Sequence, residues 1–593
     1  MTMTWRRRAF AAAVLATVLA MSALMARALS VGGFDLLDLA MLLLFATTVP
    51  WYAIGFWNGV VGLALWWLAR DPVGVVAPFL RRGSDDEPIA TRTAIVLCIR
   101  NEEPARIFRV LADLLDGLAA SGHGSRFHAF VLSDTDDAAI AEREAREAAA
   151  TEALLRGRVE LTYRRRRSNE GFKAGNIRDF CERWGAGFDH MVTLDADSVM
   201  TPEAVLRLVR IMQREPTFGI VQTLVVGMPS TSAFARLFQF GMRLGMRSYT
   251  LASAAWQGDC GPYWGHNAII RMAPFVAHCR IAKLPGKPPL GGEVLSHDQI
   301  EAAMMRRAGF EVRVIPEEGG SWEANPPTLL EFIRRDLRWC QGNMQYGSFI
   351  AMPGIAPVSR FHLGLAMLMY FGAPAWTLLL VISALRVALG DVPEGLFEPA
   401  AGNLLLALVL GMVFAPKIAT AIDVLVTPAR RHAFGGAARF LASFAAETVY
   451  SLLIFPITTL AHAVFMAGLP FHRTIGWSGQ SREDHVVPAR TALRALWRQT
   501  ALGLATGALF LSLSWEALAY GLLGVAGLAL AVPFAVVTSL PGLGLLLVRL
   551  GIGRLPEETE PPGALVRIGL PALARRPMPP APALGPPAGA TEG

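Results

Sequence analysis

Two hydropathy regimes alternate along the chain. Residues 10–26 form an apolar run of about 17 positions, just long enough to span a hydrocarbon core, with the basic stretch Trp5 to Arg8 before it and Arg27 after it. A second run, residues 39–68, exceeds the length needed to cross and carries Pro50, which predicts a tilted or kinked helix. From about residue 88 to 350 the pattern changes. Short β-rich runs (TAIVLCI, HAFVLS, VELTY, HMVTLDA, GIVQTLVV, EVRVI) alternate with charged helical stretches, the signature of an α/β domain on a mostly parallel sheet. Past Pro357 apolar spans resume at roughly 362–388, 402–426, 440–467, 500–519 and 521–548.

Charge sets the expected sides. Three arginines precede the first span and Arg70, Arg81 and Arg82 follow the second, against Arg27 alone between them. This places the amino terminus and the α/β block on the cytoplasmic side. The loop 471–498 and the carboxyl tail are also arginine-rich and read as cytoplasmic, so the number of crossings after the block must be even. The segment 440–467, with Glu447, Pro456 and His462, is the one expected to lie at the interface, re-enter or split. A cleaved signal peptide is not expected, because the first run is longer than a usual signal core and a second span follows closely. The organisation is therefore a membrane region at 1–87, an α/β domain at 88–350, a second membrane region at 351–550 and a Pro, Ala and Gly-rich tail at 551–593 expected to be disordered.

Composition agrees: 53% of the 593 residues are hydrophobic and 17% charged, too apolar for an ordinary soluble protein. Net charge is +7, but the arginines sit beside apolar spans, where charge asymmetry across a membrane accounts for them, so nucleic acid is not an expected partner. The five cysteines have no metal-ligand spacing and read as reduced thiols.

The chemistry lies in the α/β block. Asp134 follows a strand in FVLSDT, where a carboxylate can accept hydrogen bonds from a base or ribose; alone, it is also a common turn residue. MVTLDADS ends a strand in Asp195 and Asp197, and a metal held there would bridge two phosphates and neutralise a diphosphate leaving group. NEGFKAGNIRDF brings Lys173 between Gly171 and Gly175, which allow close backbone approach to a nucleotide. LSHDQIE places Asp298 at a helix start, as base or as cap. LLEFIRRDLRWCQGNM is an amphipathic helix with Arg334, Arg335, Arg338 and Gln341 off its apolar face, suited to lie against a membrane while offering arginines to a diphosphate, or simply to carry a solvated basic face.

In order, Asp134, KAGN at 173–176, DAD at 195–197, HD at 297–298 and RDLRW at 335–339 resemble the inverting, processive glycosyltransferase family 2, the family of bacterial cellulose and hyaluronan synthases. Two motifs depart from its usual pattern: Thr-Glu-Asp is Ser296-His297-Asp298, and Gln-x-x-Arg-Trp is Arg335-x-x-Arg338-Trp339. With RWCQGN and WGHNAIIR (264–271), these departures look closest to the branch that makes osmoregulated periplasmic glucans.

The resemblance implies a helical transmembrane bundle carrying a cytoplasmic GT-A domain in the inner membrane of a Gram-negative bacterium, with UDP-glucose as donor and a growing β-glucan as product. It implies Mg²⁺ or Mn²⁺ on Asp197 with Asp195, Asp298 as general base, and Arg335 and Arg338 on the leaving charge. Trp339 stacks on the acceptor, and Asp134 and Lys173 line the donor site. The loop 470–484 takes the place of a gating loop, with Trp477 and Arg482 as candidate contacts. Membrane lipid and a periplasmic glucan-processing protein are the remaining expected partners. A family 2 synthase of another polymer is the neighbouring reading, and a transporter with a nucleotide-sensing domain the distant one; a sensor would not need the whole series from DAD to RxxRW.

Overall fold

The computed structural model describes residues 2–31, 33–390, 397–475 and 484–569. Its α/β block is built on eight strands: β1 (Thr93–Ile99), β2 (Phe127–Ser133), β3 (Glu160–Arg165), β4 (His190–Asp195), β5 (Val199–Met200), β6 (Phe218–Gly227), β7 (Ala268–Arg271) and β8 (Glu311–Glu323). Their order in one sheet is β3-β2-β1-β4-β7-β6-β8-β5. The sheet is mixed rather than mostly parallel, because β7 runs antiparallel to both its neighbours, β4 and β6. In register, Ile99 faces Ser133 and Cys98 faces Asp195. Asp134 and Asp195 thus leave the same edge of the sheet on either side of β1, where ligands of such sheets gather.

Thirteen helices frame the site and the apolar regions: α1 (Met3–Ala28), α2 (Leu36–Leu68), α3 (Phe172–Trp184), α4 (Ala233–Gln257), α5 (Asp298–Arg307), α6 (Leu329–Met344), α7 (Pro357–Ala388), α8 (Pro399–Val426), α9 (Ala437–Gly468), α10 (Ala489–Leu513), α11 (Trp515–Ala529), α12 (Ala531–Thr538) and α13 (Pro541–Leu550). Among the described residues five helices, α1, α2, α7, α8 and α9, are long and apolar enough to cross a membrane; α11 and α12, bent by 55°, make a sixth if the pair is one span.

The ends of these helices sort into two sets. At the block, Arg7 donates to Asp259 (2.5 Å) and to the carbonyl of Gln257 (2.6 Å), and Trp66 near the end of α2 packs with Leu251 of α4. At the other end, Glu398 N–H donates to the Ala28 carbonyl (2.8 Å), and Arg386 of α7 pairs with Asp35 and Asp38 before and within α2. Tyr520 of α11 donates to Asn403 of α8 at that same far end (2.7 Å), while Val487 N–H donates to Ser539 Oγ at the block (2.9 Å). So α10 and the α11–α12 pair form a hairpin. The break expected near residue 520 lies at Ser514, whose hydroxyl caps α11 by accepting from Ala517 N–H.

Helix α9 is one unbroken helix with Pro456 inside it, not a split one. It stays with the block throughout: Phe440 packs on Phe240, Tyr450 and Ile457 on Phe234 and Leu329, and Phe465 on Cys340. Its Glu447 accepts from Lys417 of α8 (2.5 Å) and fills a notch in α4 left by Gly241, where a Cβ would fall 2.2 Å from the carboxylate oxygen.

The tail requires a correction. Residues 551–569 are folded onto the block: Glu558 pairs with Arg236 (3.0 Å) and Glu557 with Arg243 (2.5 Å), both arginines and Glu558 buried, and Arg567 pairs with Asp113. Two carboxylates inserted into arginine sockets outweigh the disorder expected from a Pro, Ala and Gly-rich composition. Residues 570–593 lie outside the described residues.

Candidate functional site

Asp134 follows β2 directly, and its backbone N–H donates to the Ile99 carbonyl (2.9 Å). Both carboxylate oxygens accept from Arg166, each at 2.7 Å. Arg166 also donates to the carbonyls of Glu170 and Phe172 (3.0 Å each), lashing the NEGF loop to the strand end. That loop needs its glycines. Gly171 has φ +69°, and a Cβ on Gly175 would lie 2.0 Å from the Glu170 carbonyl oxygen.

The turn of the loop into α3 delivers Lys173, whose ammonium pairs with Asp195 and donates to the Gly265 carbonyl (2.8 Å). Burial works against this cation, but the Asp195 carboxylate outweighs it and holds the Lys173 pKa above its ordinary value. Asp195 ends β4 in a tight turn: its N–H donates to Ser198 Oγ (3.0 Å) and its carbonyl accepts from Ser198 N–H (3.0 Å). The turn carries Asp197, which is buried.

The floor beneath these groups is the WGHN loop, quoted in the sequence as a motif but given no role there. Asn267, at φ +51°, donates its N–H to the Thr193 carbonyl (2.7 Å) and its amide to Ser321 Oγ (2.8 Å). His266 Nδ1 lies 3.3 Å from Ser198 Oγ, and its Nε2 lies 3.5 Å from the Glu323 carboxylate. Gly265, at φ +84°, lies between the other groups: a Cβ there would sit in van der Waals contact, 3.5 Å from Asp298 Cβ and 3.6 Å from Lys173 Nζ. Asp298, Lys173 and Asp195 therefore converge over Gly265. The signal available in sequence was Gln222, a polar residue in the apolar strand β6, whose amide accepts from Trp264 N–H (2.9 Å) and donates to the His266 carbonyl (3.0 Å).

Asp298 opens α5 but does not cap it; His297 is the cap residue, and no side chain caps the helix. His297 Nδ1 is 2.9 Å from Glu301, both buried. Burial alone would lower the imidazole pKa; the Glu301 carboxylate outweighs it and raises the value.

The C-cap of α6 clasps this loop. Gln345 accepts from Leu295 N–H (2.9 Å) and donates to the Glu293 carbonyl (3.0 Å). Arg335 is buried, its guanidinium 4.7 Å from the Trp339 ring and 3.4 Å from Asn325 Oδ1. Burial lowers its pKa against the pull of Glu323 and Asp336, and burial together with Arg335 and Arg334 pushes Arg338 down to about 10. An anion arriving here would relieve both cations. Between them Asp336 faces away, toward His462 of α9 (3.0 Å) and the Tyr370 hydroxyl of α7 (3.1 Å). Gln341 accepts from Ile475 N–H (2.9 Å) at the start of the loop after α9. Trp477 and Arg482 lie outside the described residues.

Among the described residues no three His, Cys, Asp or Glu side chains are grouped to hold a metal ion. A cavity of about 190 Å³ lined by Gly175, Arg178, Cys181 and Glu301 lies beside α3 and includes none of Asp134, Asp195, Asp197 and Asp298. The five cysteines are free.

The profile of glycosyl transferase family 2 matches residues 94–278, and that of glycosyl transferase family group 2 matches 190–415. The chain is 36% identical over 562 residues to glucans biosynthesis glucosyltransferase H of Vibrio cholerae, covering 92% of this chain and 76% of that one. It is 36% identical over 554 residues to the protein of that name from Xanthomonas campestris pv. campestris (90% and 84%), and 37% over 581 residues to that from Rhodopseudomonas palustris (94% and 79%). A mannosyltransferase of Pyrobaculum calidifontis solved with GDP-Man and Mn²⁺ superposes with a TM-score of 0.38 at 16% identity, covering 63% of this chain and 98% of that one, too loose a likeness to bear on ligands. With its acidic turn at the carboxyl edge of a mixed sheet, the block has a GT-A-like fold.

Proposed function

The chain belongs to the family of glucans biosynthesis glucosyltransferase H, and on that premise we propose that it polymerises glucose from UDP-glucose into the β-glucan backbone of osmoregulated periplasmic glucans and passes the chain out through its helices. The observation that carries this reading is the convergence of Asp298, Lys173 and Asp195 over the bare backbone of Gly265, which leaves room for an acceptor hydroxyl beside a carboxylate.

Asp298 takes the proton of the acceptor hydroxyl as its oxygen attacks the anomeric carbon. The bond from that carbon to the UDP oxygen breaks, the configuration inverts, and no second carboxylate is needed as nucleophile. Arg335 and Arg338 meet the charge developing on the diphosphate, and the exposed face of Trp339 supports the acceptor sugar. Asp195 and Asp197 fit a Mg²⁺ or Mn²⁺ ion of the kind that keeps waters and takes its other ligands from a diphosphate, since two carboxylates at a strand end suffice for it. When bound, such an ion would neutralise leaving-group charge. Lys173, paired with Asp195, holds that carboxylate in place.

Inner-membrane placement with the block in the cytoplasm is supported by the arginine asymmetry and by the contacts that hold the amino terminus, the start of α10 and residues 551–569 to the block. With α9 lying along the block, and with α10 crossing by its apolar part after Arg498 as the first arm of the hairpin, six crossings (α1, α2, α7, α8, α10 and the α11–α12 pair) satisfy all of these contacts. The test is product analysis after incubating purified full-length protein with labelled UDP-glucose: UDP release matched by label in a β-linked glucan is expected. Absence of glucosyl transfer to any polymer or lipid acceptor would overturn the reading.

A further inference from the structure

The outward face of α10 changes character along its length. Its inward positions Ala492 and Leu496 are buried against Ile457 of α9 and Ala531 and Ala535 of α12. On the opposite side the first two to three turns expose Arg490, Leu493, Arg494, Trp497 and Arg498, and the turns after them expose Ala501, Leu504, Ala505, Ala508 and Leu511. The switch from guanidinium to aliphatic occupies a single turn, with Trp497 at the boundary, as at a membrane–water interface.

The three arginines have no ion-pair partner among the described residues; Arg498 only rests over the Trp497 ring at 5.6 Å. No acidic residue occurs between Asp484 and Glu516. The arginines on one face of α4 are treated differently. Arg236, Arg243 and Arg247 of α4 each meet a carboxylate. A second apolar surface begins at the level of these arginines, because Ser539, which accepts from Val487 N–H just before α10, leads into α13. Helix α13 is pressed onto the start of α4, where a Cβ on Gly544 would lie 1.9 Å from the Thr231 carbonyl oxygen, and it exposes Leu545, Leu546, Arg549 and Leu550.

A ligand matching this surface has an anionic head for three guanidiniums and an aliphatic body for the leucines. We propose that the face formed by Arg490, Arg494, Trp497 and Arg498, with the shelf of α13, is a binding site for anionic phospholipid, its phosphodiester seated among the arginines. A free phosphate or nucleic acid would leave the leucine shelf and Trp497 without a role. The proposal rests on the membrane placement argued above.

The test uses full-length protein in phosphatidylcholine nanodiscs doped with a small, equal fraction of brominated phosphatidylcholine or brominated phosphatidylglycerol. The emission difference between wild type and Trp497→Phe isolates one of the 14 tryptophans. Quenching by the brominated phosphatidylglycerol should exceed that by brominated phosphatidylcholine by about fivefold, the order expected for even one basic residue at an anionic surface. The preference should vanish in the Arg490→Gln, Arg494→Gln, Arg498→Gln triple variant and persist in the corresponding triple lysine variant, which controls for folding. Equal quenching by the two lipids, or a preference that survives the glutamine variant, would overturn the site while leaving the membrane placement standing. No quenching by either would overturn both.

Discussion

Gly342 of α6 lies so close to Ser296 that a Cβ on it would fall 2.1 Å from Ser296 Oγ and 2.8 Å from the Ser296 backbone nitrogen. The helix bearing Arg335, Arg338 and Trp339 is thereby fixed against the loop bearing Asp298. Gly342→Ala should separate the two. Turnover is expected to fall by about 100-fold, the order that an ångström of misplacement costs, with UDP affinity changed by less than about threefold. UDP release and calorimetric UDP binding on the same preparation measure the two effects.

If Asp298 is the base, as proposed, Asp298→Asn takes away the proton acceptor without touching the groups assigned to the nucleotide. Turnover should drop at least about 100-fold while UDP binding persists. Activity within about threefold of wild type would take the role of base away from Asp298.

Asp197→Ala should abolish the Mg²⁺-dependent part of UDP binding, because the diphosphate then has no ion to offset its charge. An unchanged titration, insensitive to chelator, is the result that removes Asp197 from the metal site.

The His297–Glu301 pair makes stability depend on pH. The folded imidazole has a pKa above its ordinary 6.5, so the folded state holds the proton more tightly. Its contribution is complete below pH 6.5 and is lost as pH rises through the elevated value. The thermal midpoint of wild type should therefore fall relative to His297→Gln on going from mildly acidic to mildly alkaline buffer; parallel curves would show that the pair carries no such linkage.

Glu558→Gln leaves the Arg236 guanidinium buried without its counter-charge, and removing one partner of a buried pair costs about 3 kcal/mol. A clearly lowered unfolding midpoint in detergent is expected. Glu160→Gln, on an exposed side chain paired with His128, should shift it little.

Much of this arrangement was legible in the sequence because it is local. Six strands announced themselves by β-branched runs, and Asp195 and Asp197 by their position at the end of one. The strands β5 and β7 escaped because two and four residues carry no readable period. What the sequence could not reveal is tertiary. Gly342 meets Ser296, and Gln345 grips Leu295, only because α6 folds back over a loop some 50 residues earlier. Glu447 stood out as a charge in an apolar segment, but its partner Lys417 follows from how α8 and α9 align. Glu557 and Glu558 were hidden by their surroundings, since a composition rich in proline and alanine says nothing of two sockets waiting on α4.

Those sockets set an order of manufacture. Arg236 leaves the ribosome 322 residues before the Glu558 that neutralises it, and every apolar helix from α7 to α12 is made in between. Until residues 551–569 have returned to the block, Arg236 of α4 lacks its carboxylate, while Arg243 has only Glu318 of β8. The α4 end of the block is therefore completed only by residues that follow every apolar helix in the chain.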